Sequence, residues 1–389
     1  MFGQAAAVIG TGFIGPVHVE GLIRAGVRVV GILGSTPQKS QEAAIKLGLE
    51  RGYASLDELL DDHSVGVVHI ASPNRAHFEQ VQACLAAGKH VLCEKPLAMN
   101  SQESRKLVEE AKSSQLVCGV NYNIRFYPLC IEAASRIRQG CFGKLYHVSG
   151  SYTQDWLLHP TDFNWRVLAS EGGSLRALAD IGTHWLDLAQ FVSGLEVDSL
   201  CADLQTVHAT RHAPVGGALT FTNPSLSSSS LEGAKSENRI KPMVVDTEDY
   251  GSVLLRFKGG AHGLFYVSQV MAGRKNCLEL TIAGEKSSLS WNSQEPNRMW
   301  IGHRNEPNQE LIRDPSLLGP DAQAHANYPG GHNEGFPDSF KQLFRSYYEY
   351  VDSDRSVAPK FPTFEDGHRE ILLCEAILQS VSSKGWVSV

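Results

Sequence analysis

The chain has 389 residues, 42% hydrophobic and 20% charged, with 35 Lys+Arg against 42 Asp+Glu for a formal charge of −7. That length points to two domains, or three, and the composition is that of a globular protein rather than a disordered one. No basic cluster marks a nucleic-acid binder, and no stretch approaches the ~20 apolar residues of a membrane span.

Ala5–Ile9 reads as a core strand, which leaves no room before it for a signal or transit peptide. A helical pattern follows over Phe13–Ala25, then an apolar run over Val27–Leu33 and a helix over Ser35–Gly48 with Pro37 near its start. Ser55 and Glu58 form a capping box that opens a short helix. Gly66–Ala71 is a strand, Arg75–Ala87 a helix and His90–Cys93 a strand. Asn100 or Ser101 caps a helix to Ser113, and Leu116–Val120 is a further strand. Unbroken apolar strands alternating with helices predict a doubly wound parallel α/β sheet over residues 1–122.

After about Asn121 the pattern becomes α+β, giving a second domain over residues 123–389. Pro128–Gln139 and Asp180–Val192 read as helices. Gly143–Tyr152, Gly251–Phe257, Ala261–Val270, Leu278–Ala283 and Ser287–Trp291 read as strands. Val207–Asp249, with Pro224 and the serine run Ser227–Ser230, is expected to be a long loop or excursion, and Phe364–Ser383 a closing amphipathic helix. The eight cysteines are scattered, the closest pair being Cys84 and Cys93. No CxxC metal or redox pair exists, and a reducing cytoplasm is expected.

Gly10-Thr11-Gly12-Phe13-Ile14-Gly15 joins the first strand to the first helix. In that context the first glycine serves the tight turn, the second the approach of a pyrophosphate and the third helix–strand packing. At the end of the second strand an NAD-binding domain usually places an acid against the ribose. Here the residues are Leu33-Gly34-Ser35-Thr36, with Lys39 beyond. Ser35, Thr36 and Lys39 suit a 2′-phosphate, so NADP is expected over NAD.

Lys95 follows a strand whose end should face the cofactor cleft, and Pro96 fixes its loop. Asp180, His184 and Asp187 are spaced to share one helix face, which suits proton transfer at His184. A metal site is the rival reading of that cluster. No further His or Cys stands at ligand spacing nearby, so no metal is expected.

In order, GTGFIG, SPNRAH (Ser72–His77), CEKP (Cys93–Pro96), NYNIRF (Asn121–Phe126) and DIGTHWLD (Asp180–Asp187) resemble the glucose–fructose oxidoreductase/inositol dehydrogenase (Gfo/Idh/MocA) family over nearly the whole chain. The resemblance implies a Rossmann domain followed by a domain with a large, open, mostly antiparallel sheet. That sheet's outer face would make a homodimer or homotetramer. It implies hydride transfer between a nicotinamide cofactor and a secondary hydroxyl or ketone of a sugar, glycoside or cyclitol. Lys95 would bind the reacting oxygen, Asp180 would orient it, and His184 would be the general acid/base. Ser72, Pro73, Asn74, His77, Glu94 and Asn123 would line the nicotinamide side.

Three departures stand out. The second strand lacks the acid common among NAD users, the stretch from Gly172 to Asp180 is long, and Val207–Asp249 is long. Aromatic and polar residues before the catalytic helix are pocket candidates, namely Tyr152, Asp155, Trp156, Asn164, Trp165 and Arg166. His332 between glycines is another. Two other functions remain open, a redox-neutral glycoside cleavage with held cofactor and a non-catalytic nucleotide sensor.

Overall fold

The computed structural model describes residues 2–214 and 240–389. Strands β1 (Ala6–Ile9), β2 (Val29–Leu33), β3 (Arg51–Tyr53), β4 (Val67–Ile70), β5 (His90–Cys93) and β6 (Cys118–Val120) form a parallel sheet ordered β3-β2-β1-β4-β5-β6. β1, β2 and β4 are buried at every residue, which is why their sequences are apolar runs, broken in β4 by His69. Helices α1 (Ile14–Ala25), α2 (Pro37–Leu47), α3 (Leu56–Asp61), α4 (His77–Ala86) and α5 (Ser101–Ser114) connect them. Thr36, Ser55 and Asn100 cap α2, α3 and α5 by accepting the N–H groups of Lys39, Glu58 and Glu103. Strand order reverses between β1 and β4, so a crevice opens at their C-terminal ends.

The chain then builds α6 (Pro128–Arg138), β7 (Leu145–Thr153), the short α7 (Ala169–Gly172), a π turn over Leu178–Gly182, and α8 (Thr183–Ser193). β8 (Val197–Gln205), β9 (Thr210–Pro214), β10 (Ile240–Val244), β11 (Tyr250–Phe257), β12 (His262–Ser268), β13 (Cys277–Gly284), β14 (Ser288–Asn292), β15 (Arg298–Gly302) and β16 (Gln309–Ile312) follow. The short α9 (Pro320–Gln323), α10 (Phe336–Val351), α11 (Phe364–Ser383) and β17 (Val387–Ser388) end the chain. Among the described residues, nine strands form a mostly antiparallel sheet ordered β16-β15-β14-β13-β7-β12-β11-β8-β17, in which only β7 and β12 run parallel.

Two expectations need correction. Val207–Asp249 is not simply a loop, because β9 and β10 pair antiparallel. Arg211 in β9 is buried and donates to the Leu157, His159 and Asp162 carbonyls and to Asp249, which pins that ribbon to the body of the domain. Residues 215–239, including Pro224 and the serine run, lie outside the described residues. The sequence reading also passed over α10. This helix packs against α1, where a Cβ on Gly21 would come within 2.8 Å of the Phe344 ring, and Arg24 pairs with Asp338.

α8 lies on the inner face of the large sheet. Trp185 stacks on Phe265 at 4.5 Å and donates through its indole N–H to the Glu279 carbonyl at 2.9 Å. Gly150 in β7 makes this possible, since a Cβ there would lie 2.5 Å from that indole nitrogen. Leu254, its cross-strand neighbour Leu264, and Trp300 are exposed on the opposite face.

Candidate active site

A cleft of about 1080 Å³ runs along the C-terminal ends of β1, β2, β4, β5 and β6 and under the start of α8. The glycine turn forms one end. Gly10 has φ of +118°, and a Cβ there would lie 2.3 Å from the Ala71 carbonyl oxygen. A Cβ on Gly15 would lie 1.9 Å from the Gly10 carbonyl, so the third glycine serves packing and is not on the cleft wall. Gly12 has open space where its Cβ would be, and with Thr11, Phe13 and Ile14 it lines the cleft. α1 has no acidic residue in its first turn, so its N-terminus presents a positive end to that wall.

Beyond β2, Ser35 and Lys39 are on the wall with Glu42 and Lys46, and Lys39 Nζ lies 3.2 Å from Ser35 Oγ. Thr36 is not on it, because its hydroxyl caps α2. Ser72, Pro73 and Asn74 line the next section. Asn74 donates to the Gly172 carbonyl at 3.0 Å, tying this loop to the second half of the chain. His77 is displaced from its expected place on the wall. Its ring nitrogens lie 2.7 and 2.9 Å from the carbonyl oxygens of Pro96 and Ser72, so it joins the loops after β4 and β5 from behind. Asn123 reaches the wall and donates to Ser339 at 2.7 Å.

Lys95 follows β5. Its ammonium donates to both the main-chain carbonyl and Oδ1 of Asp180, at 2.7 and 3.0 Å. Gln269 donates to the other oxygen of Asp180 at 2.9 Å, and Arg166 Nε lies 3.3 Å from Oδ1. Burial alone would raise the Asp180 carboxyl. The charges of Lys95 and Arg166 outweigh that and hold it well below the usual carboxylate range. His184 is on the same wall, 9% exposed, with its ring nearly perpendicular to that of Tyr122. Burial, and after it the charge of Lys95, push this imidazole down to about 3, so the resting ring is neutral. Its Nδ1 is buried without a partner among the described residues. Asp187, expected on the same helix face, does not join this cluster. Both of its oxygens are taken by Arg125, which also donates to Asp366 at 2.8 Å.

Tyr152 and Arg166 line the cleft as expected. The Tyr152 hydroxyl donates to Asn276 at 2.8 Å, and Arg166 stacks on Trp165 at 4.5 Å. Trp156 does not reach the wall. Its indole donates to Gln154 at 2.8 Å and its ring packs with Leu157, Val167 and Val245. Nor does His332. Its loop is held away by Arg313, which donates to the His332 carbonyl and pairs with Glu334 at 3.1 Å, and the imidazole is left exposed. Asp155 receives Lys275 at 2.7 Å, and Asn164 accepts the N–H of Arg166.

Sequence reasoning missed Asn121, Gln154, Gln269 and Asn276. Asn121 directly follows β6, so the rule that found Lys95 could have found it. The other three become neighbours only through strand pairing. Among the described residues no group of three or more His, Cys, Asp or Glu could hold a metal ion. No helix among them is long and apolar enough to cross a membrane.

The model of an oxidoreductase family with an NAD-binding Rossmann fold matches residues 5–122, and the Gfo/Idh/MocA C-terminal domain matches residues 131–290. Levoglucosan dehydrogenase of Pseudarthrobacter phenanthrenivorans is 29% identical over 364 residues, covering 92% of this chain and 88% of that protein. Myo-inositol 2-dehydrogenase of Thermotoga maritima is 31% identical over 197 residues, 50% of this chain and 57% of that protein. A levoglucosan dehydrogenase structure in complex with NADH and L-sorbose superposes with a TM-score of 0.87 at 26% identity, covering 100% of this chain and 99% of that one. An inositol dehydrogenase homolog from Azotobacter vinelandii, complexed with NAD+, gives 0.85 at 25% identity, covering 100% and 98%. Matched by family models over residues 5–122 and 131–290, the chain belongs to the Gfo/Idh/MocA oxidoreductase family.

Proposed function

We propose that the protein is an NADP-dependent dehydrogenase interconverting a secondary hydroxyl and a ketone on a sugar, glycoside or cyclitol. The observation that carries this reading is the meeting of Lys95, Asp180 and His184 on the wall that also holds the glycine turn.

The residues present fit a nicotinamide dinucleotide, which when bound supplies the hydride acceptor or donor. The open side of Gly12 and the N-terminus of α1 would hold the pyrophosphate. Ser35 and Lys39 would hold a 2′-phosphate, where an acid would repel it.

Two of the three ammonium donors of Lys95 are used by Asp180, which leaves one for a substrate oxygen. Asp180 in turn is fixed by Gln269 and Arg166, so Lys95 is oriented before substrate arrives. Neutral His184 takes the hydroxyl proton in oxidation and returns it in reduction. Tyr152, Arg166 and the Trp165 face supply the mix of aromatic and directional polar groups that suits a sugar. The relatives named for sugar and inositol dehydrogenation support that class.

The exposed Leu254, Leu264 and Trp300 favour a homodimer or homotetramer built on the outer face of the large sheet. The eight cysteines are free thiols, which suits a reducing cytoplasm.

The test is a panel of sugars, glycosides and inositols incubated with NADP+ and with NAD+. One reduced cofactor per ketone formed is expected, with NADP+ preferred. Glycoside cleavage without net reduction of cofactor would replace this reading with redox-neutral chemistry.

A further inference from the structure

Behind the cleft lies a line of polar side chains that the proposed chemistry does not use. Glu94 is on the wall. Its Oε1 lies 2.9 Å from His18 Nε2, His18 Nδ1 lies 3.0 Å from His69 Nδ1, and His69 Nε2 lies 3.2 Å from the Tyr348 hydroxyl. These three come from α1, β4 and α10, are fully buried, and pack among Phe340 and Phe344. Stability does not explain them. His69 interrupts the apolar run Val67-Val68-His69-Ile70, where an aliphatic residue would leave no polar group to satisfy.

The donors and acceptors fix what Glu94 must be. Its carboxylate already accepts from the Asn121 side chain on Oε1 and from the Lys95 backbone N–H on Oε2, at 3.2 Å for the latter. A carboxylate receiving donors on both oxygens is ionised, so His18 Nε2 carries a proton and donates it. The facing Nδ1 atoms then share one proton between them, and the Tyr348 hydroxyl completes the line at the far side of His69. Lys95, His77 and His184 also face Glu94. The Lys95 ammonium is already bonded to Asp180.

In a sheet of this order, a dinucleotide with its pyrophosphate on the turn after β1 and its adenosine over β2 has its nicotinamide half over β4 and β5. Glu94 directly follows β5. The nicotinamide ring is positively charged when oxidised and neutral when reduced. We propose that His18, backed by His69 and Tyr348, is a positioning residue that holds Glu94 as a fixed anion, and that this anion makes the cleft prefer oxidised over reduced dinucleotide. The inference rests on the reading above only in requiring a nicotinamide dinucleotide in the cleft.

The experiment is calorimetric titration of the full chain with NADP+, NADPH, NAD+ and NADH. Glu94→Gln removes the charge and keeps the shape, and the preference for the oxidised form should fall about tenfold. His18→Met removes the donor and should shift the preference in the same direction. His18→Gln keeps an N–H near the position of Nε2 and should restore it. His69→Val and Tyr348→Phe should give smaller shifts of the same sign. Equal changes in affinity for both redox forms in Glu94→Gln would overturn the proposal. So would His18→Gln behaving like His18→Met. A wild-type chain that binds none of the four would sink the cofactor reading and this one together, whereas binding with unmoved ratios sinks only this one. If the His18 variants do not fold, nitrogen-15 NMR of the wild-type histidines decides, with a proton expected on His18 Nε2 at neutral pH and a bare Nε2 overturning the idea.

Discussion

The two sheets contribute to the cleft by different geometry. In the parallel sheet every strand ends at the same edge, so cleft residues follow strand ends directly. Gly10 follows β1, Gly34 and Ser35 follow β2, Ser72 comes just after β4, Glu94 and Lys95 follow β5, and Asn121 follows β6. In the large sheet neighbouring strands mostly run opposite ways, so a strand end alone says nothing about the cleft. Gln154 and Gln269 come after the ends of β7 and β12, but Asn276 comes before the start of β13. They meet because Thr153 pairs with both Ser268 and Cys277, and Gln154 then donates to Asn276 at 2.8 Å. Parallel pairing turns position in the sequence into position in the site. Antiparallel pairing requires the register to be known first.

The strongest test of this comparison removes the chemistry from each half in turn. His184→Ala and Lys95→Met should each lower kcat/KM by about 10²–10⁴. In both, circular dichroism should be unchanged and NADP+ should still bind. A loss confined to Lys95→Met would leave the second half with a purely structural share. The pH profile sharpens the point. With His184 at about 3, oxidation should show no acid limb near the ordinary histidine value of 6.5. The same shift has a sign for stability. Between about 3 and 6.5 the unfolded chain binds a proton at His184 that the folded chain does not, so this residue lowers stability as pH falls through that window. His184→Ala should lose that part of the acid sensitivity in urea melts.

Next in size is a contrast within the glycine turn. Gly10→Ala puts a Cβ 2.3 Å from the Ala71 carbonyl in a left-handed conformation, and should cost about 1–3 kcal/mol or more of stability. Gly12→Ala meets nothing within 4 Å in the protein, so stability should hold while NADP+ affinity falls. Equal stability losses in the two variants would mean that Gly12 is also there for packing.

Lys39→Ala should weaken NADP+ about tenfold by removing one charge–phosphate contact, with NAD+ affinity unchanged. Tighter binding of NAD+ than of NADP+ to the wild type would undo the cofactor preference argued from Ser35 and Lys39, and leave the rest of the site intact.

Legibility in the sequence divides along the same line. β5 lies at His90–Cys93 as the apolar run indicates, and α11 spans Phe364–Ser383 as its pattern predicts. α10 was passed over although Phe336, Phe340, Phe344, Tyr347 and Val351 recur at helical spacing. Such aromatic residues have modest helix propensity, which weakens the local signal of a helix that packs on α1. Asp180 and His184 were legible as a motif, but Asp187 was misread. Spacing places three groups on one face, and only tertiary structure reveals that Arg125 waits for the third.

The smallest expected effect tests a sequence argument that the fold turned down. Glycines on both sides of His332 suggested a backbone that could bring the imidazole to a ligand, yet the same loop is the one Arg313 gathers. That guanidinium is buried, reaches the Tyr328, Pro329 and His332 carbonyls and pairs with Glu334, so the loop's main chain points inward and the imidazole outward. His332→Ala should therefore leave both kcat and KM unchanged, while Arg313→Ala should lower stability by stranding Glu334 in the interior, a loss on the order of 3–5 kcal/mol. A raised KM in His332→Ala with unchanged stability would mean that substrate extends beyond the cleft to this loop, and that the second half of the chain contributes more of the site than its walls now hold.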